Sequence, residues 1–113
     1  PAFLFSPLLY LMVVTFLIFF VAKFFEARAD LLSVMALGQP KVMAESLRKI
    51  GFQRLQVEKA SRLASWFRWD THPPIYFRIE RLERMTEPVE VRHPLLQSVK
   101  DVMGGFQAAF SSR

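Results

Sequence analysis

The sequence predicts an all-α protein, with one N-terminal transmembrane helix continuing into a small cytoplasmic helical domain. Three observations predict it. Of the first 22 residues, 18 are apolar and none is charged. Beyond them, apolar residues recur three to four positions apart, the period of a helix with one buried face. Gly and Pro punctuate these segments, and the one extended stretch, Glu87-Pro88-Val89-Glu90-Val91, is too short and Pro-bound to build a sheet. The chain has no cysteine, which excludes a disulfide scaffold and any thiolate metal site.

Pro1–Ala22 is long enough to span a membrane, since 22 residues of helix rise about 33 Å against a hydrocarbon core of about 30 Å. Ser6-Pro7 has the form of a helix start, with Ser as N-cap and Pro in the first turn, leaving Pro1–Phe5 as an interfacial lead-in. The run would then extend through Lys23-Phe24-Phe25, with Lys23 snorkelling. A signal peptide is a poorer reading, because there is no basic n-region and no A-x-A site follows. Lys23, Arg28 and Lys41 follow the span and no basic residue precedes it. The positive-inside rule therefore puts the N-terminus outside and the rest of the chain in the cytoplasm as a single-pass protein. The net charge of +5 suits an anionic leaflet. Basic and acidic residues are interleaved and no nucleic-acid reader motif is present, so nucleic acid is not an expected partner.

The helix should continue to Leu37, with Gly38 as its C-cap. A second helix runs from Pro40 to Gly51, with Val42, Met43, Leu47 and Ile50 on one stripe. A third, Phe52–Trp69, aligns Phe52, Leu55, Lys59, Leu63 and Phe67. Asp70-Thr71-His72-Pro73-Pro74 breaks the pattern, and Asp70 or Thr71 can cap the helix after it. That helix, Ile75–Met85, buries Ile75, Ile79, Leu82 and Met85 and leaves Arg78, Glu80, Arg81, Glu83 and Arg84 outside or at its edges. A last segment opens at His93-Pro94 and carries Leu95, Val99, Val102, Phe106 and Ala109 at helical spacing, interrupted by Gly104-Gly105. It should pack on the helical domain or a partner, the alternative being a place in the membrane interface with Phe106 and Phe110 inserted. Trp66, Phe67 and Trp69 should form the core with Ile75, Ile79 and Leu82. The expected divisions are residues 1–25 for the span, 26–85 for the helical domain and 86–113 for a linker and C-terminal amphipathic helix.

Two stretches carry candidate chemistry. Glu26 and Asp30 lie four apart on one helix face, where like charges repel unless a cation lies between them; Lys23 and Arg28 are the nearest neutralising charges. The second stretch is Thr71-His72-Pro73-Pro74-Ile75-Tyr76-Phe77-Arg78-Ile79. In this order behind a span, Glu26-Ala27-Arg28-Ala29-Asp30, the turn Gly38-Gln39-Pro40, the helix Ala44–Ile50 and the run Thr71–Leu82 resemble the C-terminal third of the membrane zinc metallopeptidases of the HtpX and CAAX-prenyl-endopeptidase type. The resemblance implies that Glu26 is the third zinc ligand, that Asp30 orients a zinc-ligating histidine, and that His72 and Arg78 pack behind the active site.

Catalysis in that family rests on H-E-x-x-H, two histidine ligands with a glutamate base between them. These 113 residues contain no such motif; their histidines are His72 and His93, each followed by Pro. No catalytic residue and no cofactor is therefore expected in this chain alone, zinc entering only if the H-E-x-x-H half is supplied elsewhere. The expected role is an accessory or structural subunit of a larger membrane complex, with lipid and other membrane subunits as partners and Phe16, Phe19, Phe20, Phe24 and Phe25 as contacts to them. The alternative is a C-terminal fragment of an active membrane zinc metallopeptidase.

Overall fold

The computed structural model describes residues 2–111, with side chains described from Ser6 onward. The expected interfacial lead-in at Pro1–Phe5 thus falls largely outside the described residues. Among the described residues there are six helices and no strand. They are α1 (Ala2–Leu37), α2 (Pro40–Ile50), α3 (Phe52–Ala60), α4 (Arg62–Trp66), α5 (Ile75–Glu83) and α6 (Pro94–Ser111). At 1.5 Å per residue the 36 residues of α1 account for the 57 Å long dimension. The helix does not begin at Ser6: Pro7 lies inside it, and Ser6 is no N-cap.

The helix α1 is apolar on all sides in its first half, where Leu8 to Val13 are exposed. From Phe16 onward one side is covered by the rest of the chain. Ala27, Leu31 and Val34, at helical spacing, are buried. The helix ends as expected at Gly38, whose φ is +73° and whose amide reaches the Val34 carbonyl at 2.7 Å. Gln39 is also left-handed, with φ 59°, and its amide donates to Glu87 Oε1 at 3.0 Å. This double left-handed turn folds α2 back, and α2 packs on α5. On α2 the buried residues are Pro40 and Ala44, with Met43 and Leu47 packed at the edge; Val42 and Ile50, expected on the buried stripe, are exposed.

The expected helix Phe52–Trp69 is two helices. Ser61 is extended, with φ −157°, and its hydroxyl accepts the Ala64 amide at 3.1 Å, which restarts the chain as α4. The break turns Trp66 fully inward, while Phe67 and Trp69, expected in the core, stay 44% and 60% exposed. The remaining expected core residues, Ile75, Ile79 and Leu82, are buried together with Tyr76 and Phe77. Trp66 Nε1 donates to the Tyr76 hydroxyl at 2.7 Å, satisfying both polar atoms inside the core.

The start of α5 is capped from a distance. Pro73 and Pro74 have no amide hydrogen, and neither Asp70 nor Thr71 caps the helix. The buried carboxylate of Glu58, on α3, accepts the Ile75 and Tyr76 amides at 2.9 and 2.8 Å. An anion at the positive end of a helix dipole is favoured, and the two amides recover what its burial costs.

Arg81, expected at the edge of α5, is also buried. Its guanidinium donates to the Ala27 carbonyl of α1 at 2.7 Å and to Ser98 Oγ and Asp101 Oδ2 of α6 at 3.0 and 2.9 Å. The last helix packs on α1 and α4, placing Val102 and Ala109 in the same core. Gly104 and Gly105 lie within α6 without ending it. A Cβ on Gly105 would stand 2.6 Å from the Phe77 ring and 3.1 Å from Trp66, whereas one on Gly104 would meet nothing within 4 Å.

Two outcomes check this packing in thermal unfolding of the detergent-solubilised chain. Leu82→Ala, at a site only 1% exposed, should cost about 2–5 kcal/mol. Helix propensity alone would have both glycines stabilise on change to Ala, by about 1 kcal/mol. Gly104→Ala should follow propensity; Gly105→Ala should instead lower stability by about 1–3 kcal/mol through overpacking against Phe77.

Candidate functional site around Glu26 and His72

The long helix α1 delivers Glu26 and Asp30 one turn apart, beside the loop before α5. Their partners are not the expected Lys23 and Arg28. Asp30 is held by Arg78 of α5 in a two-pronged pair: Nε to Oδ2 at 2.8 Å and Nη2 to Oδ1 at 3.0 Å. Both side chains are less than one-fifth exposed. That geometry matches the planar guanidinium to the planar carboxylate and fixes the α1–α5 spacing at this level. Each Asp30 oxygen keeps one further lone pair.

Glu26 is left more open, with 40% of its side chain exposed, and its Oε2 lies 3.2 Å from His72 Nδ1. Four side chains singled out from the sequence are therefore brought together as two pairs: Glu26 with His72, and Asp30 with Arg78. Arg28 is exposed, and among the described residues it has no ion-pair partner. Lys23 does not snorkel. It is 1% exposed, and its Nζ donates to the Asp70 carbonyl at 2.6 Å, under the loop that carries His72.

That loop is fixed from three sides. Lys23 holds its main chain from α1. Arg54 of α3 pairs with the Asp70 carboxylate. Asp70 Oδ1 accepts the His72 amide at 3.0 Å, a local turn of the kind aspartate favours. The buried prolines Pro73 and Pro74 set the rest of the backbone path. Burial pushes the Asp70 carboxyl up, but the His72 amide and the Arg54 guanidinium outweigh it and hold the group below the ordinary carboxylate range. Sequence reasoning missed Lys23, Arg54 and Glu58 as the frame of this loop. Of these only Lys23 stood out, as a charge closing an apolar run; Arg54 and Glu58 lie off the apolar stripe of Phe52–Phe67 and gave no signal.

The five phenylalanines expected to meet lipid or partner spans divide differently. Phe20 is buried, its ring 5.1 Å from Phe106 and 6.3 Å from Trp66. Phe16 and Phe24 pack against the same cluster, and Phe19 meets Trp69 edge-on at 5.9 Å. Phe25 is the most exposed of the set, at 52%. The chain's own domain thus covers most of a face that the sequence assigned to lipid or to other subunits.

Along the chain a long apolar helix, the E-x-x-x-D pair, the Gly-x-Pro turn and T-H-P-P-x-x-x-R thus follow in order, with each acid paired to the last motif. The model of peptidase family M48 matches residues 2–86. The chain belongs to peptidase family M48. No curated protein and no solved structure matched it in the same comparisons. M48 peptidases are zinc enzymes, and this chain is metallopeptidase-related, with one helix among the described residues long and apolar enough to cross a membrane.

A catalytic zinc takes about three protein ligands and a water. Glu26 and His72 are two possible donors, Asp30 is engaged by Arg78, and among the described residues no group of three His, Asp or Glu stands close enough to hold a metal. The residues present do not by themselves make a zinc site.

The Asp70 shift sets a pH dependence. A carboxyl held lower in the folded state than in the unfolded chain adds stability that is full above about pH 4 and is lost as pH falls below it. Acid unfolding of the detergent-solubilised chain should therefore weaken in its pH dependence below about pH 4 in Asp70→Asn. A steepness unchanged by that substitution would show that the loop does not depend on this carboxylate.

Proposed function

We propose that the chain supplies part of the zinc site of a membrane metallopeptidase, with Glu26 as one ligand and H-E-x-x-H contributed by sequence beyond these 113 residues or by a second chain. One observation carries this reading. Of the two acids in the E-x-x-x-D pair, Asp30 is locked by a two-pronged arginine, while Glu26 stays half open beside a histidine. A ligand must present a free carboxylate, whereas the residue that orients another ligand must itself be fixed. Asp30, with its spare lone pairs, suits that orienting role towards an incoming histidine. Arg78 positions Asp30, and His72 stands where it can hydrogen-bond either Glu26 or a group bound there.

In this reading α1 enters a lipid bilayer and carries the site at its surface, and the exposed Arg28 and Lys41 on its C-terminal side support a cytoplasmic domain with the N-terminus outside. In this proposal residues 1–25 anchor, residues 26–85 carry the peptidase-like part and residues 86–113 brace it. The second reading, an accessory subunit without peptidase activity of its own, is favoured by the absence of H-E-x-x-H from the sequence itself.

Metal analysis of the native assembly purified in mild detergent separates the two. About one zinc per chain, lost in Glu26→Gln while the assembly stays intact, is the expected result for a shared zinc site. Unchanged zinc in Glu26→Gln, or an intact native assembly without zinc, would overturn it in favour of the accessory subunit.

A further inference from the structure

We propose that the exposed aromatic rim formed by Phe67, Trp69 and Phe110 is a membrane-contact collar, seated in the headgroup–acyl boundary of the same bilayer that α1 enters. Three side chains that a water-soluble domain would hide lie together at one end of the helical domain: Phe67 is 44% exposed, Trp69 60% and Phe110 45%. They are not scattered. Phe67 stacks on Phe16 at 5.4 Å, Trp69 meets Phe19 at 5.9 Å, and Phe110 meets Phe106, which in turn meets Phe20, at 5.0 and 5.1 Å. Every member of the rim thus connects to the same one-turn stretch of α1, Phe16–Phe20.

That level is where lipid must end. On the other side of α1, Leu17, Ile18 and Val21 remain exposed, continuous with the bare apolar surface of Leu8 to Val13. Counting from Ala2 to Phe19, 18 residues rise about 27 Å, close to one hydrocarbon thickness. The rim therefore meets the bilayer at the depth where aromatic side chains concentrate in membrane proteins, with the ring in the acyl boundary and any polar edge in the headgroups. Arg68, between Phe67 and Trp69 in sequence, is itself exposed and has no ion-pair or hydrogen-bond partner for its side chain among the described residues. An unpaired cation flanked in sequence by two exposed aromatics fits anionic lipid headgroups. The C-terminal end of α6 is thereby both packed on the domain through Val102 and Ala109 and inserted through Phe110, so the two placements open to this helix apply to different faces of it. Glu26, six residues beyond Phe20, lies about 9 Å below the collar, which would hold the site at a fixed distance beneath the membrane surface.

The chain has no cysteine, so single nitroxide labels can be placed at will. Leu9→Cys, Phe110→Cys and Lys59→Cys are each labelled in the full chain and reconstituted in phosphatidylcholine–phosphatidylglycerol vesicles. Collisions with oxygen, which enriches in lipid, are compared with those of a water-soluble nickel complex. Positions 9 and 110 should favour oxygen and position 59 nickel. A lipid signal at 9 with a water signal at 110 overturns the collar while leaving the span intact. A water signal at 9 overturns both, and a label at 110 shielded from both agents overturns it in favour of a protein occupant. Trp69 provides a check that needs no new cysteine: acyl-brominated lipids should quench the native fluorescence and lose that effect in Trp69→Phe, where only the buried Trp66 remains. Quenching that is the same in Trp69→Phe, or absent throughout, overturns the proposal. None of these readouts depends on zinc, so they stand apart from the metal-site reading.

Discussion

A guanidinium taken out of water keeps its charge, and it can stay there only if carbonyls and a carboxylate replace the lost water. Arg81 meets that requirement by reaching three partners on two other helices: the Ala27 carbonyl of α1, and Ser98 and Asp101 of α6. The constraint is mutual. The long helix α1 must pass with Ala27 facing inward, close enough for its carbonyl to be reached. The last helix must lie beside both with Ser98 inward, and Asp101, itself held by Gln97 at 2.8 Å, supplies the counter-charge. Asp30 and Arg78 repeat the α1–α5 connection one turn away at the domain's edge. One ion pair and one guanidinium–carbonyl hydrogen bond thus fix the seating of a helix whose apolar surface alone would allow many rotations.

The same logic builds the candidate site. A loop opening with Asp-Thr-His-Pro-Pro has few amides to satisfy; His72 donates to Asp70, and the first amides of α5 donate to the buried Glu58. Lys23 and Arg54 hold the loop from below and beside. Because Lys23 belongs to α1 three residues before Glu26, the contact that anchors the loop also sets the distance from His72 to Glu26. Catalytic and ligand geometries are generally held this way, by side chains that are themselves held.

The helices at both ends of the chain, the Gly38 stop and the burial of Ile75, Ile79 and Leu82 were legible from periodicity and from turn residues, because those signals are local. The break at Ser61 was not, since the apolar spacing of Phe52–Phe67 continues through it and only the hydroxyl's cap shows that the chain restarts. Arg81 and Lys23 were misplaced, and Glu58 was passed over, for one reason. A charged residue is assigned to water by default, and its burial becomes visible only with the partners that neutralise it. Glu26, Asp30, His72 and Arg78 were singled out by motif order, but motif order carries no pairing. That Glu26 faces His72 while Asp30 faces Arg78 required the fold.

The amino-acid sequence by itself determined that this is an all-α chain with one apolar helix of membrane-spanning length, and that its charged chemistry follows that helix in an order shared with peptidase family M48. Composition and period decide those properties residue by residue. Tertiary structure alone decided which charges are buried, which acid is locked and which stays open, and that most of the Phe16–Phe24 face turns to the chain's own domain. Those depend on which atoms meet across distant segments, where a single rotation of α1 would exchange one set of neighbours for another.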